Sequence, residues 1–326
     1  MRKLALGTAV LLAVLAVGCG DDDGGDGAAQ EGDGGRDKVV VGVIPISDVG
    51  PAWLGAEKGF FSEEGIDVSF RPIAGGAEVI PQVLGGDVQF AFGNPISLAF
   101  AQQRGIGLRY VTEGVQGGSS EQDATNALVV HKDSDIRTPK DLAGKTFAVN
   151  VLNSLGEVTI ITALEKEGVD TSDLEFIEVP FPDMLPALER RQFDVAWLPE
   201  PFVSQAVAAG HRKLLDPMVA TYPRLTLSGY FASSQFIEEN EDLVERFQRA
   251  MNRSLDYAPT HEDEVRQAIA ENTEIPPPVV EMMPLPHWTS DLNEESIRFL
   301  IEQAQGYDYF DEEIDVDALL PPDSGS

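Results

Sequence analysis

Strand and helix signals alternate along this chain in two successive series with matching punctuation, and this constrains the fold more than any other feature. The first series opens with a β-branched run at residues 38–46, the pattern of a buried strand. Pro51 stands where a first helical turn accepts proline and Gly59 just past the helix end, with Trp53, Leu54 and Ala56 between them for packing. Residues 66–73 form the next expected strand, Gly75 and Gly76 turn it into a helix over about 77–84, and 87–92 is a third strand. Asn94 then caps a helix that starts at Pro95 and ends near Gly105.

The second series starts at residues 128–131. Thr138 and Pro139 open a short helix, 146–150 is a strand, and Ser154 opens a longer helix with Glu157 at capping-box spacing. Leu155, Val158, Ile161 and Leu164 give that helix one apolar face, and Gly168 stops it. Strand 175–179, helix 184–190 and strand 193–198 follow. Asp87-Val88 leads a strand closed by Asn94-Pro95, and Asp194-Val195 leads one closed by Glu200-Pro201.

Alternation of this kind favours mostly parallel sheets covered by helices on both faces. The expected class is α/β with two lobes. Residues 225–231 are strand-like again, and the rest is mainly helical, with 236–257 the clearest case. A return to the first lobe then divides the body into 39–127 plus 229–326 and 128–228, with chain crossings near 126–131 and 226–232.

The N-terminus sets the compartment. Arg2 and Lys3 precede an apolar run of about 14 residues that ends in Gly18 and Cys19. A membrane-spanning helix needs roughly 20, so 1–18 reads as a cleavable export signal. Ala16-Val17-Gly18-Cys19 is similar to a bacterial lipobox, with alanine where leucine is usual, and Cys19 is the chain's single cysteine. The stretch that follows is rich in Gly and Asp, too polar to bury the surface that ordering requires. Residues 19–38 are therefore expected to be a lipidated cysteine and a flexible tether, placing the body outside the cytoplasm and against a membrane surface.

Roughly 285 residues follow, enough for two domains of ordinary size. The formal net charge of −32 argues against nucleic acid as a partner. His131, His211, His261 and His287 lack metal-ligand spacing, and no nucleotide loop or nucleophile motif is present, so neither cofactor nor metal is expected.

In open α/β sheets, ligands sit outside the carboxyl ends of strands, where helix N-termini present free N–H groups. Five turns qualify: 47–52, 75–77, 93–95, 150–156 and 199–201. From them and the strand at 225–231 come the candidate ligand-binding residues Asp48, Val49, Trp53, Gly75, Gly76, Asn94, Asn150, Asn153, Ser154, Glu200 and Tyr230. Turns require Gly, Asn and Pro for their own sake, so no single loop decides the matter. Asp48 and Glu200 have the chemistry of an acid–base pair, and equally that of a solvated loop residue and a first-turn helix residue. Trp53, Trp197 and Tyr230 fit ligand stacking or the core alike. No histidine or cysteine lies in the five turns, which favours binding without catalysis.

The run from Gly50-Pro51-Ala52-Trp53-Leu54-Gly55-Ala56-Glu57-Lys58-Gly59-Phe60-Phe61 through Glu64-Gly65-Ile66-Asp67-Val68 resembles the binding-protein family for alkanesulfonate, nitrate, taurine and thiamine-precursor pyrimidine. Gly75-Gly76, Gly86-Asp87-Val88, the Thr138 to Lys145 stretch, and Asp194 with Glu200-Pro201-Phe202 extend the likeness over about 39–257. The resemblance implies a hinge-closing type II periplasmic-binding-protein fold with the ligand between its lobes. It also implies delivery to an ABC permease whose ATPase subunits are separate chains. A small organic anion or zwitterion such as a sulfonate is the leading ligand, and an aminopyrimidine the alternative. An extracytoplasmic enzyme using Asp48 and Glu200 is a third reading. The family's enzyme branch carries a cysteine-rich iron motif, and no cysteine follows Cys19.

Overall fold

The computed structural model describes residues 35–322. The expected export signal, Cys19 and most of the expected tether lie outside that range. The tether was expected to reach residue 38, but β1 begins at Asp37, whose carboxylate meets Arg246 Nη2 at 2.6 Å. That ion pair anchors the strand's first residues to a helix far along the chain.

The first series runs β1 (Asp37–Val43), α1 (Gly50–Glu57), α2 (Phe60–Glu63), β2 (Ile66–Pro72), α3 (Gly76–Leu84), β3 (Phe90–Gly93), α4 (Pro95–Gln103) and β4 (Leu108–Gln116). The second comprises β5 (Asn126–Val130), β6 (Thr146–Val149), α5 (Leu155–Lys166), β7 (Glu175–Glu178), α6 (Phe181–Glu189), β8 (Val195–Pro199), α7 (Phe202–Ala208), β9 (Arg212–Lys213) and α8 (Pro217–Thr221). The chain then continues as β10 (Thr226–Ser233), α9 (Ser234–Glu239), α10 (Glu241–Tyr257), α11 (Glu262–Asn272), α12 (Pro277–Met282), β11 (His287–Trp288) and α13 (Glu294–Gly306).

Two sheets organise these elements. One has the order β11-β4-β10-β3-β1-β2 and the other β7-β6-β8-β5-β9. In each sheet three strands are parallel, as the alternation predicts: β2-β1-β3 and β7-β6-β8. The remainder is antiparallel, because β10 arrives from the other sheet against β3 and β4, and β5 runs against β8. β4 is missing from the sequence reading. It is almost wholly buried yet carries Thr112, Glu113 and Gln116, so no apolar alternation marks it.

The connections between the sheets are residues 117–125 and 214–225, just ahead of the strands where the crossings were expected. They run side by side, Gly117 N donating to Leu225 O at 2.8 Å and Arg224 N to Gly118 O at 3.2 Å. Paired crossings of this kind suit a hinge. The helix expected over 236–257 breaks at Asn240, whose side-chain amide bonds Phe236 O at 3.0 Å and ends α9 before α10 begins. α10 buries Leu243, Val244, Phe247, Ala250, Met251 and Leu255 on one face, and Phe247 stacks on Phe90 with centroids 3.8 Å apart.

After α13 the chain reaches back to the second sheet's layer. The Tyr309 hydroxyl donates to Glu157 Oε2 at 2.5 Å and the Tyr307 hydroxyl to Glu165 Oε2 at 2.9 Å, both acceptors on α5. A third tie thus joins the lobes.

Candidate functional site

The five turns singled out above meet where the carboxyl ends of the two sheets face each other. Ser47, following β1, donates from its N–H and its hydroxyl to Glu200 O at 3.1 and 2.9 Å. Asn150, following β6, donates to Ala74 O at 3.0 Å. Asn94, at the N-cap of α4, accepts from Ser97 N at 3.0 Å and donates to Ser154 Oγ at 2.9 Å. The N-termini of α4 and α5 therefore oppose each other, joined through their cap residues.

Ser154 does not form the expected capping box. Its hydroxyl makes no bond to α5 and instead meets Asn94 and, at 3.4 Å, the Ser97 hydroxyl. Glu157 takes Asn153 N at 2.9 Å together with Tyr309. Tertiary partners outcompete the local motif, and the first N–H groups of α5 are left without a side-chain cap. Asn153 is exposed with φ of 51°, a left-handed residue that asparagine tolerates.

At Gly75 the two lobes pack closely. A Cβ there would lie 2.4 Å from Val151 Cγ2, so only glycine fits. Gly76 is the first residue of α3. Gly156 plays the same part inside the second lobe, where a Cβ would sit 2.5 Å from the Trp197 ring.

Asp48 and Glu200 are both buried, at 5 % and 1 % exposure. Burial raises the Asp48 carboxyl to about 7, with the Glu200 charge adding a little and the Ser47 hydroxyl opposing it. Burial also raises Glu200 to about 7, against the bonds from Ser204 N and Oγ, each 3.0 Å. Glu200 thus caps the first turn of α7 with both oxygens. The Asp48 carbonyl accepts Trp288 Nε1 at 3.1 Å.

Val49, Trp53 and Tyr230 are all buried. Val49 is fully buried beside α1, Trp53 is 3 % exposed, and Tyr230 packs on Phe92 at 5.2 Å. The Tyr230 hydroxyl is nevertheless buried without a hydrogen-bond partner, as is Trp197 Nε1. Burial and the Asp48 charge push the Tyr230 pKa up, so its proton stays and the group remains a donor. Arg71, near the end of β2, is exposed and bonds Gln82 Oε1 at 2.8 Å.

Beside these contacts the cleft opens into a cavity of about 260 Å³, bounded by residues after β1 and β7, by the end of β2 and the residues following it, by Glu78 of α3 and by the starts of α6 and α7. None of its lining residues was among the candidates. Phe181 was missed because α6 was expected from Met184, whereas it begins three residues earlier behind Pro180. The Pro180 and Pro182 pair around Phe181 was the available signal for an earlier start.

The sequence also gave no hint that His131 and His211 meet. Both turn Nε2 toward Glu189, at 3.8 and 3.0 Å, while each Nδ1 accepts a backbone N–H. That places the ring hydrogen on Nε2 and makes the pair a structural node. Among the described residues no group of three or more His, Cys, Asp or Glu side chains is placed to hold a metal ion. Likewise, among them no helix is long and apolar enough to cross a membrane.

Residues 47–265 match the family model described as NMT1/THI5 like. The chain belongs to the NMT1/THI5-like family. A taurine-binding periplasmic protein of Escherichia coli K12 is 26% identical over 197 residues, 60% of this chain, and the match spans 58% of that relative. The alkanesulfonate-binding protein SsuA of Xanthomonas axonopodis pv. citri, solved with MOPS, superposes with a TM-score of 0.74 at 17% identity, covering 87% of this chain and 97% of SsuA. The nitrate-binding protein NrtA of Synechocystis PCC 6803 gives 0.72 at 13% identity, covering 87% of this chain and 86% of NrtA. This family member therefore has the type II periplasmic-binding-protein fold, two α/β lobes around a cleft.

Proposed function

We propose that the protein is an extracytoplasmic receptor that holds a small organic anion or zwitterion between its lobes and delivers it to an ABC importer. In this reading Cys19 carries the lipid that tethers it to the membrane, and permease and ATPase are separate chains. The observation that carries it is the opposition of the α4 and α5 N-termini through Asn94 and Ser154. Helix N-termini hold anionic groups by backbone N–H donors and by the helix dipole, without a cationic side chain.

Two further features support it. Tyr230 Oη and Trp197 Nε1 are buried donors without acceptors, the complement of an oxyanion. Glu200 is engaged with Ser204 through both oxygens, which suits a structural cap better than a catalytic base. Thermal-shift measurements with taurine, simple alkanesulfonates and nitrate test the proposal. A ligand at one hundred times its Kd adds about 2.7 kcal/mol of stability. If none of them stabilises the chain, the anion reading fails.

A second reading rests on the buried Asp48 carboxyl. An aminopyrimidine would donate N–H bonds to it. Stabilisation by an aminopyrimidine alone would select this reading over the first.

A further inference from the structure

The cavity beside the cross-lobe contacts has walls of one chemical character. Ile44, Ile46 and Ile73 come from the ends of β1 and β2, and Phe181 and Phe202 from the first turns of α6 and α7. Four prolines fill much of the remaining wall, and the one charged lining residue, Glu78, has its carboxylate on Ala74 N at 2.8 Å. No Lys, Arg or His lines it. The Phe181 ring is held edge-on to Trp197 at 5.5 Å and stacked on Phe202 at 6.1 Å, so the aromatic wall is braced from behind.

We infer that this cavity receives the body of the ligand and that the ligand is a sulfonate built on a single aromatic ring. The inference deepens the anion-receptor reading and rests on it. A cavity of about 150 Å³ walled by Leu, Ile and Phe holds benzene, so 260 Å³ holds a substituted ring. Apolar walls disfavour a free charge, which keeps the sulfonate outside the cavity, at the N–H groups of the neighbouring turns. The two-carbon, ammonium-bearing body of taurine leaves the isoleucines and phenylalanines uncovered. Because the walls come from both lobes, a ring between them favours the closed arrangement, and selectivity and closure become one event.

Isothermal titration of the full chain with benzenesulfonate, methanesulfonate and taurine tests this. The expected result is at least tenfold tighter binding of benzenesulfonate than of either other ligand, equivalent to 1.4 kcal/mol. Phe181→Leu should reduce that ratio to less than threefold. Ala74→Leu, at a half-buried lining position, should do the same by filling the space, and decides the matter if Phe181→Leu does not fold. Equal or tighter binding of methanesulfonate or taurine overturns the aromatic-ring inference and leaves the receptor reading standing. A ring preference unchanged in the folded variants also overturns it. Failure of the folded chain to bind any of the three overturns both.

Discussion

Asn94 and Ser154, sixty residues apart in sequence and the N-cap residues of two helices in different lobes, are joined by a 2.9 Å hydrogen bond across the cleft. One bond therefore reports on both helix termini and on lobe closure. Ser154→Ala removes the acceptor without disturbing the Asn94 cap on α4, and should weaken ligand binding about fivefold, the worth of roughly 1 kcal/mol. Asn94→Ala removes the cap as well and should add roughly 1 kcal/mol of lost stability. Titration calorimetry and denaturant melts of the two variants distinguish these effects; equal loss of stability in both would contradict the assignment.

Gly75→Ala separates closure from folding. Its φ of −178° is extended backbone that alanine adopts freely, so the variant should melt close to the parent protein. The added Cβ would lie 2.4 Å from Val151 Cγ2, which prevents full approach of the lobes. Ligand affinity should fall by about tenfold or more. Small-angle scattering with saturating ligand should show a larger radius of gyration than the parent; an unchanged radius and affinity would show that closure tolerates the side chain.

The buried carboxyls make stability fall as pH rises. Burial raises Glu113 to about 8, opposed by bonds from Thr226 Oγ1 and Gln116 Nε2, and Asp48, Glu200 and Asp216 to about 7. The folded chain thus binds more protons than the unfolded chain between about pH 4 and 8, so unfolding free energy declines across that window. Glu113→Gln keeps an acceptor for Thr226 and removes one titration. Its unfolding free energy should decline less between pH 5 and 8, by roughly 1–3 kcal/mol. Urea melts at the two pH values measure this, and an unchanged slope would contradict it.

Tyr309→Phe tests the tie between the C-terminal segment and α5. It deletes the 2.5 Å bond to Glu157 while keeping the ring, which lies 6.3 Å from Phe100. A loss of roughly 1–3 kcal/mol is expected for deleting a buried hydrogen bond to a carboxyl group. Faster amide exchange at the start of α5 should accompany it, and exchange unchanged there would place the stabilisation elsewhere.

Cys19→Ser tests the proposed anchor. The protein should move from the membrane fraction to the soluble fraction, with ligand affinity within about twofold of the parent, because every candidate ligand-binding residue lies from Asp48 onward. Retention on membranes would contradict lipid attachment at this residue.

Where a turn must form is local information. Pro, Gly and Asn restrict or free the backbone at their own positions, so the turns around Gly75, Asn94, Ser154 and Pro201 were legible as the strand-to-helix junctions they are. The strand and helix periods of the apolar residues likewise set the α/β class and a two-lobed body, and pointed to parallel pairing, which the structure shows in β2-β1-β3 and β7-β6-β8. Only tertiary structure decided what those junctions touch. Ser154 turned from its expected capping box to Asn94, Glu157 took Tyr309, β4 buried Glu113 against Thr226 of β10, and Phe181 and Phe202 came to face Ile46 across a cavity. In each case the partner is distant in the chain and bound by burial or by a side-chain hydrogen bond. Those energies exist only once the sheets have brought the surfaces together, so a one-dimensional pattern holds no trace of them.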